Sequence, residues 1–152
     1  MKPCLFVIAI FGAQADAGAW EPAPDSMLTK WGAELTVETA WQEYPRPALA
    51  RSPWRNLNGL WEYQVTAKSV TAAPAEWAGR ILVPFAIESA LSGVKRRLTP
   101  DDALWYRRSF EVPARRDSQR TLLNFEAVDY QATVWVNERL CSFCGLCVEA
   151  CP

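Results

Sequence analysis

Leu104-Trp105-Tyr106-Arg107-Arg108-Ser109-Phe110-Glu111-Val112 is the stretch whose reading decides the fold. Leu104, Tyr106, Phe110 and Val112 are opposed by Arg107, Ser109 and Glu111. That alternation is the mark of a strand with one face on a core and the other in water. Four more segments read the same way. Leu60–Thr66 puts Trp61, Tyr63 and Val65 on one face, and Arg80–Pro84 is short and ends at proline. Thr121–Ala127 points Leu123 and Phe125 one way and Asn124 and Glu126 the other. Ala132–Val136 sets Val134 and Val136 against Thr133 and Trp135. Asn58-Gly59 is a turn signal ahead of the first strand. Upstream, Pro22, Pro24, Pro45, Pro47 and Pro53 exclude a long helix. One short helix is expected from Thr36 or Val37 to Glu43, capped by Thr36. Connections of this length suggest an all-β sandwich, not a βαβ fold.

Composition agrees. The chain has 152 residues, half of them hydrophobic, with 22% charged and a net charge of −1, which suits one globular domain and gives no electrostatic footprint for nucleic acid. It has no histidine, which removes Ser-His-Asp and Cys-His catalysis and every His-containing metal site. Eight tryptophans, eleven prolines and seven glycines point to a loop-rich β domain with aromatic packing. Four of the five cysteines fall in the last twelve residues, so they cannot staple a fold throughout.

Residues 1–19 read as an export leader. Lys2 supplies the positive end, an apolar run extends from Cys4 to Ala13, and Ala15 and Ala17 make a small-residue cleavage pattern. The run is shorter than the roughly 20 apolar residues that span a bilayer. Cleavage is expected near Ala17 or Ala19, with Cys4 removed and no membrane segment left. The alternative for this run is a buried N-terminal strand. An exported location follows, periplasmic or extracellular in a bacterium.

Across residues 20–137 a resemblance emerges. Trp41-Gln42-Glu43-Tyr44-Pro45-Arg46-Pro47 is followed by Trp54 to Trp61, Val83 to Gly93, Leu104 to Phe110 and Asn124 to Asn137. In this order they resemble the N-terminal sugar-binding domain of glycoside hydrolase family 2, the β-galactosidase and β-glucuronidase family. The resemblance implies a jelly-roll β-sandwich of the galactose-binding-domain type and a β-glycoside carbohydrate as partner. It also implies an immunoglobulin-like sandwich and a catalytic barrel further on. The family's two catalytic glutamates belong to that barrel, so no catalytic residue is assigned here. Glu62, Glu88, Asp101, Asp102, Glu126 and Asp129 read as surface carboxylates. The pairs Arg96-Arg97, Arg107-Arg108 and Arg115-Arg116 read as solvated positions, and Trp61, Trp105 and Trp135 as packing groups. After Asn137 the chain departs from the family, which continues with a glycine-containing turn and a hairpin partner. The sandwich is therefore expected to be incomplete, with an open edge.

Residues 138–152 form a short cysteine-rich tail. Cys141, Cys144, Cys147 and Cys151-Pro152 have the C-x2-C-x2-C-x3-C-P spacing of bacterial ferredoxins. That spacing suits a 4Fe–4S cluster, because one tight loop presents three thiolates and the fourth of such a run serves a second cluster. Zinc or disulfides would also suit four close cysteines. Without a second run to complete it, the cluster is expected to hold iron weakly. Export conflicts with it as well, since an oxidising periplasm favours disulfides. The two resemblances look like a junction of unrelated coding pieces. The first functional reading is the carbohydrate-binding fragment of an exported family 2 glycosidase, not catalytic by itself. The alternative is a 4Fe–4S electron-transfer protein with a redox partner, and the third is a product without function.

Overall fold

A computed structural model of the chain describes residues 3–9, 20–45, 48, 50, 54–111, 122–125, 128, 131–137, 139–140 and 147–149. The fold is all-β. Its strands are β1 (Pro3–Ala9), β2 (Gly59–Ala67), β3 (Gly79–Val83), β4 (Asp102–Ser109), β5 (Leu122–Asn124), β6 (Gln131–Val136), β7 (Arg139–Leu140) and β8 (Cys147–Glu149). The described helical structure is one turn, α1 (Lys30–Ala33), and a 3-10 turn at Ala90–Ser92. No helix among the described residues is long and apolar enough to cross a membrane. Strands line up in the order β3-β2-β4-β1-β6-β7, and β5 pairs with β8 in a separate ladder. The chain divides into two compact units, one drawn from residues 1–17, 62–79 and 98–152, the other from 18–61 and 80–97.

In the first unit β4 is the central strand. It pairs antiparallel with β2, Tyr63 opposite Tyr106 and Val65 opposite Leu104. On its other side it pairs parallel with β1, Phe6 opposite Tyr106. With both edges paired, β4 also has both faces covered at Ala103, Leu104, Trp105 and Tyr106, which are all buried. The alternation expected for this stretch does not appear: four buried residues are followed by half-exposed ones from Arg107 onward. A strand covered on both faces buries consecutive residues, which a period-two reading misses. Trp105 donates its indole N–H to Thr66 Oγ1 at 2.8 Å, and its ring stacks on Trp135 with centroids 5.5 Å apart. Trp77 packs against the same cluster.

At the half-exposed end, Arg107 meets its cross-strand neighbour Glu62 with two hydrogen bonds, Nε to Oε2 at 2.7 Å and Nη2 to Oε1 at 2.9 Å. The guanidinium also lies 4.4 Å from the centre of the Trp77 ring. With the two side chains 35% and 41% exposed, water screens the ion pair, and its contribution stays at or below about 1 kcal/mol. Burial of a tryptophan, roughly 150–250 Å² of surface, outweighs it several-fold.

The second unit buries Ala23, Ala40, Trp61, Ile81, Leu82 and Ile87. Ser92 is its one buried polar residue among those described. Its hydroxyl reaches the carbonyls of Ser89 at 2.7 Å and Ile87 at 3.1 Å and accepts from Val94 N at 3.0 Å. Gly93 then turns the chain at φ +82°, where a side chain would be strained and a Cβ would sit 2.9 Å from Trp20 Nε1.

The helix expected between Thr36 and Glu43 is absent from the fold. Thr36 N donates to Thr39 Oγ1 at 2.9 Å and Thr39 N to Thr36 Oγ1 at 3.3 Å. The two hydroxyls thus hold a turn that competes with helix formation. Trp41 then adopts φ +51°, and its carbonyl accepts from the side-chain amides of Asn56 at 2.7 Å and Asn58 at 2.9 Å. The helical turn forms earlier, at α1, where Thr29 Oγ1 accepts from Gly32 N at 3.1 Å. The Asn58-Gly59 signal marks the entry to β2, with Gly59 at φ 120°. The expected strands at 60–66, 80–84, 121–127 and 132–136 correspond to β2, β3, β5 and β6.

One expectation at the sheet's edge is revised. Asn137, at φ +50°, turns the chain into β7, which pairs with β6 through Val136 opposite Arg139 and Trp135 opposite Leu140. A hairpin partner is thus present, though only two residues long. Within the apolar N-terminal run, residues 4–9 belong to β1, which is paired with β4 on one side and β6 on the other. Its small-residue pattern at Ala15 and Ala17 lies outside the described residues.

Ser92→Ala should lower stability by about 1–3 kcal/mol, because it strands Val94 N and two carbonyls in a buried turn. Trp105→Phe should cost about 1–2 kcal/mol through the lost bond to Thr66 and the weakened stack. Arg107→Met should cost less than about 1 kcal/mol. Urea midpoints with unchanged slopes measure all three, and an Arg107→Met loss exceeding that of Trp105→Phe would contradict this ranking.

Candidate metal centre

The chemistry-bearing residues lie at the end of the chain, and two ladders hold the segment that carries them. β7 is zipped to β6 and ends at Leu140. Cys147 opens β8, which pairs antiparallel with β5: Leu122 opposite Glu149, Leu123 opposite Val148, Asn124 opposite Cys147. Residues 141–146, with Cys141 and Cys144, connect the two strands and lie outside the described residues, as does Cys151.

The donor set is uniform. With no histidine in the chain, the four cysteines of this segment are its soft ligands. Four thiolates within eleven residues match the needs of an iron–sulfur cubane. Among the described residues no group of three or more His, Cys, Asp or Glu side chains is placed to hold a metal ion elsewhere. Cys141, Cys144 and Cys147 would hold one cluster and Cys151 would reach the remaining iron or a second cluster. Sequence reading treated residues 138–152 as a tail. The β5–β8 pairing was missed because a three-residue strand carries too little period-two signal to stand out.

Other expected site residues take structural roles. Glu62 is bound to Arg107. Asp102 Oδ2 accepts from Thr99 N at 2.7 Å and Thr99 Oγ1 at 2.9 Å, closing the turn before β4. Glu88 and Asp101 are exposed, while Glu126, Asp129, Arg115 and Arg116 lie outside the described residues. Arg96 and Arg97 are solvated, as expected. Arg107 departs from that reading, since β4 brings it against Glu62 and Trp77. Trp61 and Trp105 are buried and Trp135 stacks on Trp105, so all three pack.

A cleft of about 120 Å³ is lined by Trp20, Glu21, Leu60, Arg80 and Gly93. It falls below the roughly 300 Å³ at which small-molecule sites usually begin. The buried indole N–H of Trp20 has no hydrogen-bond partner among the described residues.

The chain was also compared with known proteins. No curated protein matches it. Residues 134–152 match the family model of the 4Fe-4S binding domain, a segment that starts inside β6, spans β7 and takes in all four clustered cysteines. The match overlaps the stretch that carries the family 2 resemblance only at residues 134–137, so the chain's supported similarity is to the 4Fe-4S binding motif at its C-terminal end.

Proposed function

We propose that the chain binds an iron–sulfur cluster through Cys141, Cys144, Cys147 and Cys151 and takes part in one-electron transfer with a redox partner. The observation that carries this reading is the match of residues 134–152 to the 4Fe-4S binding domain, which coincides with the C-x2-C-x2-C-x3-C-P spacing. Such a cluster, when bound, supplies a reversible one-electron carrier. The chain's own contribution is to present deprotonated thiols and to fix their spacing. The ladder between β5 and β8 sets the position of Cys147, and the β6–β7 hairpin sets where the loop starts.

A second reading keeps the β region as a carbohydrate-associated fragment of the family 2 type. It is supported by strands β2, β3, β4 and β6, which fall within or beside the segments that carry the resemblance. A jelly-roll topology and a β-glycoside ligand belong to this reading. Titration calorimetry with galactosides and glucuronides tests it, and saturable heat absent from a Trp31→Ala, Trp41→Ala variant would favour it, because those two rings are exposed.

Anaerobic reconstitution of the full chain with iron and sulfide tests the leading proposal. Iron and acid-labile sulfide should be incorporated in equal amounts with broad visible absorption. Cys144→Ser should lose most of both, while Cys4→Ser, outside the motif, should retain them. Iron without sulfide, or zinc in its place, would refute the cluster assignment.

A further inference from the structure

β1 is held on both sides over nearly its whole length. Residues Cys4 to Ala9 stand in parallel register with Leu104 to Ser109 of β4. Residues Pro3 to Ile8 stand in parallel register with Gln131 to Val136 of β6. Strands in a sheet lie about 4.7–4.9 Å apart, so β4 and β6 are separated by roughly 9–10 Å, the width of one strand. Neither closes on the other, and the sheet is continuous only because β1 fills the gap. The walls of the gap are among the most buried strands in this unit, with Leu104, Trp105 and Tyr106 on β4 and Val134 on β6.

The same residues are the apolar centre of the expected export leader. One segment therefore has two incompatible uses. Secretion requires the apolar run to be free of the rest of the chain, with the small-residue site at Ala15 and Ala17 accessible. Folding places residues 4–9 of that run between two strands, whose ladder bonds must open before they are released.

We propose that β4 and β6 form a strand-acceptor slot whose occupant is the chain's own N-terminal segment, and that folding thereby withdraws the leader from export. The proposal rests on the leader reading of residues 1–19 and is independent of the iron–sulfur assignment. Occupancy of the slot is a kinetic branch point. A chain that folds first keeps residues 1–19 and its reduced thiols inside the cell. A chain engaged by the export machinery first leaves with β4 and β6 open towards each other.

Two measurements on the full-length chain test this. In amide hydrogen exchange, residues 4–9 should be protected as strongly as residues 103–108 of β4. In a cleavage assay with purified bacterial signal peptidase, the wild-type chain should be cut near Ala17 at least about tenfold more slowly than Val134→Pro, because cleavage tracks the population in which the slot is open. That substitution lies outside the leader, opposite Phe6, and releases β1 whether it opens the slot alone or unfolds the unit. Fast exchange at residues 4–9 beside a protected β4, or equal cleavage of the two chains, would overturn the proposal.

Discussion

The burial of four consecutive residues on β4, from Ala103 to Tyr106, is the constraint on which the first unit depends. A strand can hide successive side chains only if both of its faces are covered and both of its edges paired. β2 supplies one edge and β1 the other. Trp105 shows the arrangement most fully. Its ring is excluded from water, its N–H is satisfied by Thr66 from the adjacent strand, and its face is covered by Trp135 from β6. Sequence-distant strands thus converge on one side chain, and the Glu62–Arg107 pair finishes the same β2–β4 contact where it emerges into solvent.

That arrangement determines where the chain enters the cysteine run. β6 must lie two strands from β4 to bring Trp135 onto Trp105, and the hairpin after β6 then delivers the chain at Leu140 directly into Cys141. The iron–sulfur binding proposed for this segment would gain from such tethering. Thiolates that start from a fixed strand end lose less entropy on capturing a cluster than thiolates on a free tail. The overlap between the 4Fe-4S match and the β6–β7 hairpin places this tether inside the motif itself. The same geometry explains how one chain carries a β region and a cysteine run without a linker between them.

The second unit is organised by turns more than by strands. Ser92 gathers two carbonyls and a backbone N–H around one hydroxyl, and Gly93 supplies the left-handed residue that follows. Asn56 and Asn58 converge on the carbonyl of Trp41 from fifteen and seventeen residues away. These bonds replace regular ladders in a stretch whose prolines remove donors and fix φ.

By itself the sequence determined the all-β class, the existence of β2, β3, β4 and β6, and the cysteine spacing with its thiolate-only chemistry, because each is a local property of residue type and period. It misplaced the helix at Thr36, because two threonine hydroxyls facing each other across a turn outcompete the helical backbone, and propensity does not register that exchange. It described β4 as half-buried, because alternation reports one covered face and says nothing of a second layer. Only the tertiary structure decided that the apolar N-terminal run is a strand between β4 and β6, and that Cys147 begins a strand against Asn124. Both pairings join segments a hundred or more residues apart, or strands too short to show a period, and strand pairing over such separations depends on which edge is left unfilled when the rest of the sheet has formed.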